Sequence, residues 1–139
     1  LMDNLFLITI FTSFFTFFYL FLSFRIGYLR GSPVMKLVFE MDEVISEKKL
    51  NRNIRAHGNF SEYVPIFLIL LLITELQQQS NFYFLLTICI IFSYGRVAHA
   101  ICFAFYDSNP TLRISGMICT YLALGALAVY LLLRLAGVL

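Results

Sequence analysis

The sequence predicts an all-α integral membrane protein: a bundle of four transmembrane helices forming a single domain over residues 1–139. Three observations carry this. The chain is 60% hydrophobic and 13% charged, with a mean hydropathy of +0.85, whereas a soluble domain is about 45–50% apolar and about 25% charged. Four apolar stretches recur along it, and a bilayer core of about 30 Å needs about 20 helical residues. Backbone groups in lipid must bond internally, which favours helices here over strands of about ten alternating residues. A disordered, collagen-like or soluble globular chain is excluded, and a net charge of +2 gives no footprint for nucleic acid.

The first helix is expected at about 5–24, because Leu5 to Phe24 is twenty residues without a charge. Only Asp3 is charged before it, its apolar run exceeds a signal-peptide core, and no small-residue cleavage site follows, so it reads as a retained helix. Its phenylalanines (Phe14, Phe15, Phe17, Phe18) read as lipid-facing and packing surface that could also line a hydrophobic groove. Pro33 should end it or open the loop expected at about 25–51. Within that loop, Lys36 to Leu50 mixes charges with Val38, Phe39, Met41, Val44 and Ile45, the pattern of a short amphipathic segment on the membrane surface.

The second helix is expected at about 52–76, the third at about 82–106 and the fourth at about 112–134. Asn109-Pro110 marks the turn between the last two. Seven of the ten Lys and Arg lie between Arg25 and Arg55, while the Gln77–Asn81 connection has none. By the positive-inside rule the first and third connections are cytoplasmic. Glu75, near the outer end of the second helix, reads as solvated. Gly116, Ala123, Gly125, Ala126 and Ala128 read as close-packing positions of the fourth helix. Cys89, Cys102 and Cys119 lack disulfide or metal spacing and read as packing residues, and the two histidines lack metal-ligand spacing, so no metal site is expected.

Polar residues inside spans need a reason, since an ionisable group at mid-membrane costs about 2.5–3.5 kcal/mol on insertion scales. Taking Arg55 as 0° and about 100° per residue, Asn59 falls at about 40°, Arg52 at about 60°, Tyr63 at about 80° and Glu62 at about 340°. One face of the second helix is therefore polar. Arg96, His99 and Phe103 form a stripe on the third helix at i, i+3 and i+7, and the fourth begins with Arg113 and Ser115. Glu62 could pair with Arg96 or Arg55. Two readings stay open: ion pairs that only fasten helices, or a polar pocket for a small ligand carrying carboxylates and an amine. Arginine forks bind carboxylates bidentately and Glu62 could take an ammonium.

The run Arg52-Asn53-Ile54-Arg55-Ala56-His57-Gly58-Asn59-Phe60-Ser61-Glu62-Tyr63-Val64-Pro65 resembles the second-helix signature of the MAPEG family, the membrane-associated proteins of eicosanoid and glutathione metabolism. Gly95-Arg96-Val97-Ala98-His99 resembles the third helix of its microsomal prostaglandin E synthase and microsomal glutathione transferase branch, and Pro110 followed by Arg113 resembles that branch's turn into the fourth helix. The resemblance implies a homotrimer with glutathione bound in the membrane between subunits. It implies Arg55, Asn59, Glu62, Tyr63, Arg96 and His99 as glutathione ligands, and Arg113 as the residue stabilising the thiolate. His57 matches a polar family position but falls at about 200°, away from the others, where it could serve a neighbouring subunit's site.

The chain departs from the branch in having Phe103 where the branch has a tyrosine. It also has one extra residue between Pro110 and Arg113, an offset Ser115, and two candidates, Arg25 and Arg30, for the first-helix arginine. The activity implied is conjugation to a lipophilic electrophile, or reduction or isomerisation of a lipid hydroperoxide or peroxide, in a bacterial inner membrane. The alternative is a non-catalytic lipid-binding scaffold of the same family. A transporter or channel has no polar path to support it.

Overall fold

A computed structural model describes residues 5–31, 33–39, 46–77 and 80–139. They form five helices: α1 (Phe6–Leu29), α2 (Pro33–Phe39), α3 (Glu47–Leu76), α4 (Phe82–Phe105) and α5 (Pro110–Leu135). Among the described residues four of these, α1, α3, α4 and α5, are long and apolar enough to cross a membrane. Asp3, Ser32, Met41, Val44, Ile45, Gln78 and Gln79 lie outside the described residues, as do the side chains of Val38 and Phe39.

The helices start where side chains can satisfy their first N–H groups. Ser46 Oγ accepts from the Lys49 N–H, Asn81 Oδ1 from Phe84 and Asn109 Oδ1 from Leu112. Pro110 opens α5 at a position where its missing N–H costs nothing. At the other end of α1, Gly31 takes the left-handed conformation (φ 61°) that stops the helix before Pro33.

Two helix ends differ from those expected. α1 continues to Leu29 rather than ending near Phe24, so Arg25 is helical, and α3 already starts at Glu47, ahead of the start expected at about residue 52. The 30 residues of α3 span about 45 Å, longer than the apolar layer, so its charged first turns project beyond that layer without leaving the helix.

Glu75 is a correction. It is 6% exposed rather than solvated. Its Oε1 accepts from the Leu7 N–H at 3.0 Å and its Oε2 from the Ile8 N–H at 2.8 Å. Leu5 at the N-cap of α1 offers no side-chain acceptor, so a carboxylate from α3 satisfies the orphan donors at the positive end of α1's dipole.

α4 is the central helix: 61% of its span is buried inside the bundle, against 17–33% for the other three. Phe67 of α3 stacks on Phe92 of α4 with centroids 3.9 Å apart, and Phe15 of α1 meets Phe60, Phe67 and Phe92 edge-on. Leu7, Leu22, Leu71, Leu85 and Leu127 extend this core along the bundle axis. α4 and α5 approach most closely at Gly95 and Gly116. A Cβ on Gly95 would lie 2.7 Å from Thr120 Oγ1 and 2.8 Å from the Gly116 carbonyl oxygen, so only glycine fits. Ala123 is buried at the same interface, but Gly125 is exposed with nothing near it and is not a close-packing position.

Candidate functional site

α1 and α4 end, and α3 and α5 begin, at the same end of the bundle, here termed the basic end. A cleft of about 400 Å³ opens there between α3, α4 and α5. Arg52 and Arg55 enter it from α3, Phe103 from α4 and Arg113 from α5, with Asp107 and Asn109 at its rim. Helical spacing puts Arg52 and Arg55 on one side of α3, and the Asn109 cap sets Arg113 in the first turn of α5. The guanidinium carbons of Arg52, Arg55 and Arg113 stand 5.0, 5.8 and 5.7 Å from the Phe103 ring centre. Among the described residues none of the three forms an ion pair with Asp107 or any other carboxylate.

Arg52 donates from Nη2 to the Cys102 carbonyl at 3.0 Å, and its buried Nε has no hydrogen-bond partner among the described residues. Arg55 and Arg113 spend no guanidinium donor on the described residues. His99 is 4% exposed, packs its ring 4.9 Å from Phe103, and has no hydrogen-bond partner among the described residues.

Arg96, implied as a ligand by the resemblance, points into the bundle. It is 1% exposed. Nε donates to Thr120 Oγ1 at 2.8 Å and Nη1 to the Asn59 carbonyl at 3.4 Å, and its guanidinium lies 4.5 Å over the Tyr63 ring. The Gly95–Gly116 approach brings Thr120 within reach, and this turns Arg96 inward across α4 and α5. Neither the Arg96–Glu62 nor the Arg55–Glu62 pair forms, and Glu62 is exposed with no ion-pair partner among the described residues. Asn59 is half-buried and donates to the Arg55 carbonyl one turn back at 3.1 Å.

The Tyr63 hydroxyl lies 3.4 Å from that of Tyr121, a residue the sequence reading passed over. The signal was available: α3 and α5 run in the same direction, and each tyrosine stands eight residues beyond a cleft arginine, Arg55 or Arg113. That puts both phenols at one depth, about 12 Å from the arginines.

His57 is separated from the cleft. Its ring packs 4.8 Å from Tyr19 of α1, and its buried Nε2 has no hydrogen-bond partner among the described residues. Arg25 is committed to a knot that ties α1, α3 and α4 together. Nε donates to Asn53 Oδ1 at 2.7 Å, Nη2 to the Ala104 carbonyl at 3.0 Å, and the guanidinium covers Phe105 at 4.1 Å. Arg30 is exposed. Ser115 faces Tyr94, with the oxygens 3.0 Å apart. A separate apolar groove of about 360 Å³ lies between α1 and α3, bounded by Phe15, Tyr19, Phe60, Val64, Pro65 and Leu68.

Fold and site together define a helical membrane protein with a cationic cleft at one end of its bundle. Guanidinium groups do not lose their protons in proteins, so such a cleft is built for anions. The chain matches the family described as the MAPEG family over residues 8–133 and belongs to that family. No curated protein and no solved structure gives a significant match.

Proposed function

We propose that this chain is a glutathione-dependent membrane enzyme of the prostaglandin E synthase and glutathione transferase branch. In this reading it acts on a lipophilic electrophile or lipid hydroperoxide. The observation that carries it is the convergence of Arg52, Arg55 and Arg113 on one cleft with no carboxylate among the described residues paired to them. The donor set fits glutathione: guanidinium forks take its two carboxylates, and exposed Glu62 takes its ammonium. Bound there, glutathione supplies the sulfur nucleophile.

The chain's own residues hold and polarise it. Arg113, which spends no guanidinium donor on the described residues, is the catalytic residue. Its charge favours the thiolate over a thiol whose ordinary pKa is about 8.5. His99, packed on Phe103, backs the cleft, and Tyr63 stands about two turns further along α3. Arg96 holds the Tyr63 ring and the Asn59 carbonyl in place. The second substrate comes from the bilayer and needs no polar path.

The active unit is a homotrimer. Glu62 is exposed on a membrane-spanning helix, where lipid contact costs about 2.5–3.5 kcal/mol, and a second copy against this face removes that cost. The positive-inside rule puts the basic end on the cytoplasmic side of a bacterial inner membrane. The test is ultraviolet thiolate absorbance on adding glutathione to the detergent-purified protein. Wild type should give it and Arg113→Ala should not, and equal absorbance from both removes Arg113 from the chemistry.

The apolar groove between α1 and α3 favours a second reading, a lipid-binding scaffold of the same family. It is distinguished by lipid binding that is indifferent to glutathione.

A further inference from the structure

Phe103 of α4 stands where α3 and α5 bring their cations together. It is 6% exposed, near the end of α4. Guanidinium groups from α3 and α5 surround it at 5.0, 5.7 and 5.8 Å, all inside the range of about 6 Å over which a ring face attracts a cation. Three like charges this close repel, and among the described residues no carboxylate is paired with any of them. Asp107, at the rim, is exposed.

We propose that Phe103 is a positioning residue whose π face holds Arg52, Arg55 and Arg113 in convergence, keeping the cleft cationic and the Arg55 and Arg113 donors open to a ligand with more than one anionic group. The alternatives at this position do less. A carboxylate would neutralise the cleft and occupy the guanidinium forks in bidentate pairs. An aliphatic side chain would fill the volume and offer the cations nothing. A ring attracts each cation while consuming no hydrogen-bond donor and no net charge. Arg55 and Arg113 accordingly spend no guanidinium donor on the described residues. The ring, rather than a phenol oxygen, is then the working part of this position, and the absence of a tyrosine hydroxyl is no defect. The identity of the ligand rests on the glutathione reading, but the geometry does not.

The experiment compares wild type with Phe103→Leu and Phe103→Tyr in two ways. First, arginine Nε–H signals are recorded by NMR on isotope-labelled, ligand-free protein in detergent. Ring-shifted signals are expected in wild type and Phe103→Tyr and should vanish in Phe103→Leu. Second, glutathione is titrated by calorimetry. The Kd should rise about tenfold or more in Phe103→Leu, the effect of losing three weak cation–π contacts, and stay within about twofold in Phe103→Tyr. Phe103→Met, another apolar side chain without a ring, gives the same comparison where Phe103→Leu does not fold. Arginine signals that ignore the loss of the ring, or a Leu or Met variant with wild-type affinity, overturn the proposal. Ring-shifted signals in a wild type that binds no glutathione support the positioning role and overturn the glutathione reading instead.

Discussion

Replacing Glu75 by alanine removes the only side-chain acceptors that the described residues offer the first turn of α1. Two backbone N–H groups, of Leu7 and Ile8, lose bonds of 3.0 and 2.8 Å to a buried carboxylate. Hydrogen bonds to a charged group are worth about 1.5–3 kcal/mol each in soluble proteins. Interhelical side-chain bonds in bilayers are weaker, averaging about 0.6 and reaching about 1.7 kcal/mol. The lost charge at a helix N-terminus adds about 0.3–1 kcal/mol. Two bonds and one dipole contact together put Glu75→Ala at about 2 kcal/mol of lost stability, roughly a thirtyfold shift toward the unfolded state. Glu75→Gln keeps one acceptor and should lose about half of this. Denaturation in mixed detergent micelles measures both, and hydrogen exchange should localise the added opening to the start of α1. Glutathione affinity should not change, because Glu75 lies at the end of α3 opposite the cleft. A Glu75→Ala variant within about 0.5 kcal/mol of wild type, with α1 still protected, would refute the reasoning.

Other expected outcomes follow the same geometry. Gly95→Ala puts a Cβ 2.8 Å from the Gly116 carbonyl oxygen, a backbone atom that cannot turn aside. It should cost about 3 kcal/mol, at the upper end for overpacking, read as a lower denaturation midpoint. Arg96→Met leaves Thr120 and the Asn59 carbonyl without their donor and should lower stability by about 2 kcal/mol in the same assay. Arg25→Ala undoes the knot to Asn53 and Ala104. It should speed hydrogen exchange at the end of α1, and unchanged exchange there would contradict the knot's role.

The four spans were legible because their apolar lengths match a bilayer, and length is a property of the sequence alone. The helix ends were less legible. Arg25 carries a charge that reads as loop, yet α1 runs on past it, and α3 begins at Glu47 among charges that read as the first connection. Glu75 was misread for a different reason. Its partners are backbone N–H groups of a distant helix, and these have no side-chain signature to find. Periodicity put Arg52, Arg55, Asn59, Glu62 and Tyr63 on one face, but it could not say which of them point inward or across. That depends on the Gly95–Gly116 approach, which fixes how α4 and α5 sit and so turns Arg96 toward Thr120 instead of Glu62. Tyr121 needed the parallel directions of α3 and α5, and the Arg25–Asn53–Ala104 knot needed three helix ends to meet.

The central claim is that the arginine cleft with Glu62 holds glutathione. Calorimetric titration of glutathione into the detergent-purified protein tests it most directly, with Glu62→Gln measured alongside. Wild type should bind, and Glu62→Gln should lose binding because the ligand's ammonium then has no counter-charge. Absence of binding to wild type at millimolar glutathione would contradict the claim and move the chain to the lipid-binding scaffold.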